Sequence, residues 1–353
     1  MVKITDTTPG RTAQVEGRTC LYFSGFAYLG MHASHTFRDL LAVVQGRYGS
    51  VYPSSRISNL QLRLYEELEH ALATQLHQQS AACFSSGYLA AQAAITYAAT
   101  RGQVLFAPGT HPALRYPGAE VPAGNWNAWL ATVVDMVNLG SDGQYVLVSD
   151  AVNPLTAAIN DFSLLGALRK KAMVVIDDSH GLGLLGPQGE GIVHTLPANA
   201  AAHYLVTASL AKACSLEGGM VAGHAADIAA IRRLPLFTAS TPMIPANAYA
   251  FLHAGGAFAA ARKKLAGNIT DFKRLTAGIA AMQHPHELPV FILEDGGESV
   301  YSYLLSRDTF ISSFAYPDPA GKKINRVILS ALHTRNDLDI LASQLVQYYS
   351  PAQ

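Results

Sequence analysis

The chain has 353 residues, of which 50% are hydrophobic and 14% charged, and its 25 basic residues are balanced by 25 acidic ones. This length gives room for about two domains with full cores, and the hydrophobic fraction excludes a disordered chain. Balanced charge without a basic stripe argues against nucleic acid and anionic membranes as partners.

The N-terminal residues and the cysteines indicate a cellular compartment. Residues 1–8 are polar and lack the apolar core of a signal peptide. No apolar run approaches the roughly 20 residues that a membrane helix needs. The three cysteines Cys20, Cys83 and Cys214 are widely spaced, which is typical of buried thiols under reducing conditions. We therefore expect a soluble cytoplasmic protein, not membrane-associated.

The first half of the chain predicts an α/β domain. Leucines at every fourth position from Leu64 to Leu76 predict a helix over residues 59–78. An apolar run at 81–84, a turn at 85–87 and an alanine-rich stretch at 88–99 predict a strand, a turn and a helix. Short apolar runs predict buried strands at 104–106, 145–148, 173–176, 204–207 and 220–222, with a helix at 163–171. Residues 46–225 therefore predict a mostly parallel sheet with helices.

The pattern changes after Pro235. Helices are predicted at 246–265, 271–282, 300–305 and 338–348, and strands at 290–293 and 326–330. Thr334 and Asn336 are the alternative caps of the last helix. These elements predict a smaller α+β domain. We divide the chain into an N-terminal segment (1–45) that packs with the small domain, a large domain (46–235) and a small domain (236–353).

One glycine-rich segment resembles the motif of a dinucleotide-binding site. Residues 181–186 match G-x-G-x-x-G and follow a predicted strand. A dinucleotide site also requires a helix at the third glycine and an acid about 20 residues later. Here Pro187 and Gly189 interrupt any helix, and the later position is Val206. The motif therefore does not indicate NAD binding.

Three reactive side chains follow two predicted strands. Asp177 and His180 lie just after strand 173–176, and Lys212 lies just after strand 204–207. Ligands of open α/β sheets bind at the carboxyl ends of the strands. A lysine there must lose its charge or form an imine, unless its ammonium group reaches solvent. Alternatively, Asp177 is a capping or turn residue that has no functional relation to His180.

These residues fit the requirements of pyridoxal phosphate (PLP). The cofactor needs a lysine for an imine and an acid that keeps the ring nitrogen protonated. Its phosphate suits the turn Ser85-Ser86-Gly87-Tyr88, because the turn opens a predicted helix whose free N–H groups attract an anion. Ser209 lies on the same turn as Lys212 and could also donate to the phosphate.

A series of motifs along the chain resembles, in order and spacing, the motifs of the α-oxoamine synthases. These enzymes are a family of fold-type-I PLP-dependent transferases. The matching segments span almost the whole chain: Phe26-Ala27-Tyr28-Leu29-Gly30, Gly49-Ser50, Ser55-Arg56, Ser85-Ser86-Gly87-Tyr88, Gly109-Thr110-His111, Asp177-Asp178-Ser179-His180-Gly181, Ser209-Leu210-Ala211-Lys212-Ala213, Phe237-Thr238-Ala239-Ser240 and Arg326-Val327-Ile328-Leu329-Ser330. The resemblance implies an α/β fold with a mostly parallel central sheet and a smaller α+β domain.

The resemblance implies roles for five residues near the reacting atoms. Lys212 would form the Schiff base and remove the α-proton of the substrate. Asp177 would pair with the pyridinium nitrogen, and His180 would hydrogen-bond the phenolic oxygen. His111 would stack on the ring, and Arg326 would bind the amino-acid carboxylate.

The resemblance also implies a phosphate site and a homodimer with shared active sites. Ser86, Gly87, Tyr88 and Ser209 would bind the phosphate, and Thr238 or Ser240 would reach it from a second subunit. The expected reaction condenses a small amino acid with an acyl thioester, carried by coenzyme A or acyl carrier protein, with loss of carbon dioxide. The 8-amino-7-oxononanoate synthase reaction is preferred over that of glycine C-acetyltransferase. No metal is expected.

Several positions depart from the family's pattern, and they keep two alternatives open: an aminotransferase on the same scaffold, and a non-catalytic PLP-binding paralogue. Most departures lie where the family would bind substrate. Asn153-Pro154 stands where the family has a serine near the ring oxygen, so Asn153 becomes a candidate substrate contact. The other departures are Ala27, Tyr65, Ala91 and Ala107.

Overall fold

The computed structural model describes residues 2–153, 155–316 and 318–350. The strands are β1 (Thr12–Val15), β2 (Arg18–Phe23), β3 (Ser80–Phe84), β4 (Gln103–Phe106), β5 (Tyr145–Asp150), β6 (Val152–Asn153), β7 (Ala158–Ile159), β8 (Ala172–Asp177), β9 (Ala202–Ser209), β10 (Gly219–Gly223), β11 (Met282–Gln283), β12 (Val290–Leu293), β13 (Thr309–Phe314) and β14 (Ile324–Ile328). The helices are α1 (His35–Tyr48), α2 (Arg63–Gln75), α3 (Gly87–Ala98), α4 (Trp126–Leu139), α5 (Ala225–Ile231), α6 (Pro235–Thr238), α7 (Pro245–His253), α8 (Gly255–Leu275), α9 (Val300–Leu305) and α10 (Arg335–Tyr349).

A six-stranded sheet in the order β3-β10-β9-β8-β5-β4 carries the site. β4, β5, β8 and β9 pair in parallel, whereas β10 is antiparallel to both of its neighbours. β8 is buried along its whole length because helices cover both faces of a parallel sheet. The fold class predicted from the sequence, α/β with a mostly parallel central sheet, is confirmed.

A second six-stranded sheet joins the two ends of the chain. Its order is β1-β2-β13-β14-β12-β11, and β2 pairs in parallel with β13 through Leu21 opposite Thr309. The N-terminal strands therefore pack with the C-terminal part of the chain. The domain boundaries at residues 45 and 235 stay a prediction.

Helix α3 lies close to the large sheet because its inner face is built from alanines. Ala90, Ala91, Ala93 and Ala94 are fully buried, and the helix packs on β9 and β10. Small side chains let a helix approach a sheet closely, and alanine has the highest intrinsic helix propensity. This packing places the N-terminus of α3 at the carboxyl end of β9.

Three predicted helices differ from those observed. Residues 163–171 form only a short 3-10 helix, Phe162–Ala167, because the N–H groups of Arg169 and Lys171 donate to Asn138 and Asp142 instead of to a helical turn. The helix predicted at 246–265 breaks at Ala254, before Gly255-Gly256, and glycine disfavours helix. The helix predicted at 271–282 is wrong, since α8 ends at Leu275 and Met282 begins a strand.

The last helix resolves the choice between two caps. Thr334 accepts the N–H of Asp337, and the Asp337 carboxylate accepts the N–H of Thr334. This reciprocal pair is a capping box. Thr334 is therefore the cap, and Asn336 lies inside the helix.

No helix in the part of the chain that the structure describes is long and apolar enough to cross a membrane.

Candidate active site

A cavity of about 540 Å³ opens at the carboxyl ends of the parallel strands. Lys212, Asp177, His180 and His111 line it together, as does Asn153. Residues of four different segments thus converge on one space, as expected where parallel strands end at the same edge of a sheet. The sequence predicted all five of these residues.

Asp177 is the last residue of β8 and has 7% of its surface exposed. Its Oδ1 accepts the N–H of Ser179 at 2.8 Å. The hydroxyl of Ser179 in turn accepts the N–H of Ser209 at 2.8 Å. These two hydrogen bonds fix the position of the carboxylate relative to the turn that carries Lys212.

Burial lowers the pKa of the Lys212 amine, while the nearby charges of Asp177 and Asp150 act in the opposite direction. A lowered pKa favours the neutral amine, which is the form that can attack a carbonyl or accept a proton.

A second carboxyl group, Asp150, lies directly opposite Asp177 on the neighbouring strand and lines the same cavity. Burial raises the pKa of Asp150 to about 8, and the charge of Asp177 adds to this effect. Of the two facing carboxyl groups, Asp150 is thus the one that burial favours in its protonated form. The sequence analysis missed Asp150; its signal was its place at the end of the strand 145–148, in register with the end of the strand 173–176.

His180 is half-buried beside Tyr28, whose hydroxyl lies 2.8 Å from Nδ1 of the ring. Burial and the positive charges of Lys212 and Arg326 hold the pKa of His180 well below its ordinary value. Burial also raises the pKa of Tyr28, so the phenol keeps its proton. In the tautomer in which Tyr28 donates to Nδ1, the proton of the neutral imidazole lies on Nε2, from which it can be donated to a bound oxygen.

Arg326 lies in the middle of β14, between β12 and β13, and has only 2% of its surface exposed. Its Nε and Nη2 have no hydrogen-bond partner among the residues that the structure describes. The guanidinium lies 5.0 Å from the ring centre of Phe314 and 5.9 Å from that of Phe26. Buried arginine donors without partners suit a ligand with a planar anionic group such as a carboxylate. Arg326 does not line the cavity itself, but its positive charge contributes to the lowered pKa of His180.

The predicted phosphate site lies where α3 begins. Ser86 is the cap of α3 and accepts the N–H of Leu89. Gly87 approaches Ser209 so closely that a Cβ added at Gly87 would lie 2.4 Å from the Ser209 Cβ. Tyr88 is 61% exposed. Ser86, Gly87 and Ser209 thus meet beside the Lys212 turn, although they do not line the cavity of Lys212 itself.

Thr238 and Ser240 lie elsewhere within the chain. The Thr238 carbonyl accepts the hydroxyl of Ser55 at 2.6 Å, and the Ser240 hydroxyl donates to the Leu236 carbonyl at 2.8 Å. Neither side chain lines the cavity of its own chain. Their contact with the phosphate from a second subunit stays a prediction. Asn153 uses its Oδ1 to accept the N–H of Leu155, and Pro154 lies outside the described residues.

The residues present fit PLP. Lys212 and the carboxylate of Asp177 line one cavity. The turn that carries Ser86 adjoins this cavity at the N-terminus of α3, and the turn has no room for a side chain at Gly87. A helix N-terminus of this kind favours a dianion.

The glycine-rich segment that imitates a dinucleotide motif wraps around Asp178. The carboxyl of Asp178 is fully buried, and its Oδ2 accepts the N–H of Ile192 at 2.7 Å. A Cβ added at Gly181 or Gly191 would lie 2.0 Å or 1.8 Å from an oxygen of this carboxyl group. The glycines therefore make space for a buried acid rather than for a pyrophosphate.

Burial raises the pKa of Asp178 well above its ordinary value, which gives a stability prediction. The native state keeps a proton that the unfolded chain releases near pH 4, so stability falls as the pH rises above that point. Asp178→Asn removes this dependence. We expect the stability of the variant relative to wild type to increase by up to about 1.4 kcal/mol per pH unit above pH 4.

Urea unfolding of both proteins at several pH values between 5 and 7 measures this difference. Asp135→Asn, a change at an exposed position of α4, is the control and should show no such trend. A difference between Asp178→Asn and wild type that stays constant with pH would show that Asp178 is ionised in the folded protein.

Comparisons with known proteins show the family to which this chain belongs. The sequence profile described as aminotransferase class I and II matches residues 54–345, which is most of the chain. The chain belongs to the aminotransferase class I and II family.

Two curated relatives resemble the chain over nearly its whole length. The 8-amino-7-oxononanoate synthase of Azoarcus sp. (strain BH72) is 28% identical, with 94% of this chain and 89% of that protein covered. The enzyme of the same name from Paraburkholderia xenovorans (strain LB400) is also 28% identical, with 97% and 92% covered.

Solved structures show the same fold. The serine palmitoyltransferase of Sphingomonas wittichii has a TM-score of 0.82 and 18% identity, with 98% of this chain and 91% of that chain covered. The 8-amino-7-oxononanoate synthase of Francisella tularensis has a TM-score of 0.73 and 17% identity, with 93% and 97% covered. The names of these proteins confirm the resemblance to the α-oxoamine synthases that the motifs predicted.

Proposed function

We propose that this protein is a PLP-dependent acyltransferase of the α-oxoamine synthase type, which condenses a small amino acid with an acyl thioester and releases carbon dioxide. The observation that carries the proposal is the convergence of Lys212, Asp177, His180 and His111 on one cavity. The names of the curated relatives and a serine palmitoyltransferase structure with a PLP internal aldimine support the predicted enzyme class and cofactor.

Each residue of the site has a part in this chemistry. PLP supplies an electron sink for a carbanion at the α-carbon of the amino acid. With PLP bound, the Asp177 carboxylate would hold the proton of the ring nitrogen, and His180 would donate to the phenolic oxygen. Lys212, once its amine is free, takes the α-proton, since burial favours its neutral form. Arg326 binds the carboxylate of the amino acid through its unpartnered Nε and Nη2.

The proposed substrates follow the curated relatives. Because proteins named 8-amino-7-oxononanoate synthase match 94–97% of the chain, we place alanine and a pimeloyl thioester first. Glycine with an acetyl thioester comes second. The cavity contains Asn153 and Trp126, which are available to contact the acyl group.

We further propose a homodimer. Large apolar side chains on α1 and the segment after it are exposed, among them Val43, Ile57 and Leu60. Ser55 in the same segment binds the carbonyl of Thr238. A second copy covering this face would bury those side chains and bring Thr238 or Ser240 to the partner's phosphate site.

A half-reaction assay separates the synthase from an aminotransferase. The protein loaded with PLP is mixed with alanine, glycine or serine alone, and then with each amino acid and acyl-coenzyme A thioesters from acetyl to pimeloyl. The proposal predicts free coenzyme A and carbon dioxide only when both substrates are present. Stoichiometric formation of a keto acid from the amino acid alone would establish an aminotransferase, and binding of PLP without either reaction would establish a non-catalytic paralogue.

A further inference from the structure

Tyr316 reaches into the active-site cavity from the connection between β13 and β14. Its hydroxyl lies within hydrogen-bond distance of Nε2 of His111. The two rings are stacked, with their centres 5.8 Å apart and their planes 21° apart. The sequence motifs gave no role to this tyrosine.

His111 is held at three points. Its backbone N–H donates to Oδ2 of Asp150 at 2.8 Å, and its Nδ1 accepts the N–H of Ala113 at 3.1 Å. Since Nδ1 uses its lone pair in this way, the proton of the neutral ring lies on Nε2. That N–H donates to the oxygen of Tyr316.

We propose that Tyr316 is a positioning residue, whose hydroxyl holds His111 as the neutral Nε2–H tautomer and fixes the plane of its ring in the cavity. The tautomer is a property of the polypeptide alone. Its consequence for catalysis, a fixed His111 beside the cofactor, rests on the proposed function.

The charges around His111 reinforce the neutral form. Burial lowers the pKa of His111, and so do the positive charges of Lys212 and Arg115, whereas Asp177 opposes them. Protonation of the ring in its present orientation would also set an Nδ1–H against the Ala113 N–H. The ionisable groups that face the ring are Lys212, Arg115, Asp150, Asp177, His180 and Tyr316.

Tyr316 also connects His111 to the sheet that carries Arg326, the residue proposed to bind the substrate carboxylate. Tyr316 follows β13, and Arg326 lies on β14, which pairs with β13 through Ser312. The contact therefore fixes His111, which is carried by the loop after β4, relative to the second sheet.

The test is Tyr316→Phe, with Tyr301→Phe as the matched control. Tyr301 packs edge-on against Phe310 of β13 and lies outside the cavity. Tyr316 is 37% exposed, so loss of its hydroxyl leaves the fold intact. The readout is the imidazole ¹⁵N spectrum of the PLP-free protein between pH 5 and 8, in which His111→Gln identifies the signal of His111.

We expect the neutral His111 ring of wild type and Tyr301→Phe to be the Nε2–H tautomer, and the ring to titrate below the ordinary histidine value. In Tyr316→Phe the ring is free to turn away from Ala113, and its titration shifts upward toward the ordinary histidine value of about 6.5. A wild-type ring protonated on Nδ1, or a Tyr316→Phe spectrum identical to wild type, would overturn the proposal.

A second readout uses the loaded enzyme. We expect kcat of Tyr316→Phe to fall on the acidic side of its pH profile while KM for the amino acid is kept, because the carboxylate site is untouched. A pH profile equal to that of wild type would contradict a positioning role in catalysis. If the proposed reaction itself fails, the spectra of the PLP-free protein still decide the tautomer.

Discussion

Replacing Lys212 with alanine is expected to abolish both turnover and the covalent attachment of PLP. Lys212 is the lysine that lines the cavity with Asp177 and His180, and burial lowers the pKa of its amine. Without this amine the site has neither the nucleophile that holds the cofactor nor the base for the α-proton. The measurement is the visible absorbance of the protein after exhaustive dialysis, together with the release of coenzyme A.

Lys170→Ala is the matched control, because Lys170 is exposed at the far end of β8. We expect this variant to keep its colour and activity. Yellow colour retained by dialysed Lys212→Ala would place the imine on another lysine, and residual turnover would remove Lys212 from the role of base.

Replacing Arg326 with alanine is expected to weaken amino-acid binding by about 2–5 kcal/mol, the usual cost of removing one partner of a buried charge pair. Arg326 is 2% exposed, and within the described part of the chain its Nε and Nη2 have no hydrogen-bond partner. A carboxylate is the ligand that would satisfy both donors at once. The spectral titration of the PLP-loaded protein with alanine or glycine gives the dissociation constants.

Arg326→Lys tests whether geometry matters beyond charge. Lysine keeps one positive charge but cannot form two parallel hydrogen bonds, so its affinity should lie between those of wild type and Arg326→Ala. Arg307→Ala, at an exposed position, is the control. Wild-type affinity in Arg326→Ala would mean that the carboxylate binds elsewhere.

The parts of the fold that the sequence predicted are those with strong local signals. β8 is an unbroken apolar run, and α2 carries leucines at helical spacing, so both were predicted within a few residues. β1, β2 and β13 were missed because they are partly exposed, and the pairing of β2 with β13 joins residues far apart in the chain. Helix α4 was missed although Asn125 caps it.

The site residues that could be predicted are the reactive side chains at or just after the end of a predicted strand. Lys212, Asp177 and His180 follow buried strands, and the structure brings them together. Asp150 is equally well placed, but its strand ends in a serine and an aspartate that resemble a turn. Tyr316 could not be predicted, because its contact with His111 joins residues 205 positions apart.

The most direct test of the central claim is to find which lysine carries the cofactor. The PLP-loaded protein is reduced with borohydride, digested, and mapped by mass spectrometry for the lysine that bears the pyridoxyl group. The cavity geometry predicts the label on Lys212 alone. A label on any other lysine, or a protein that takes up none, would contradict the account of the site.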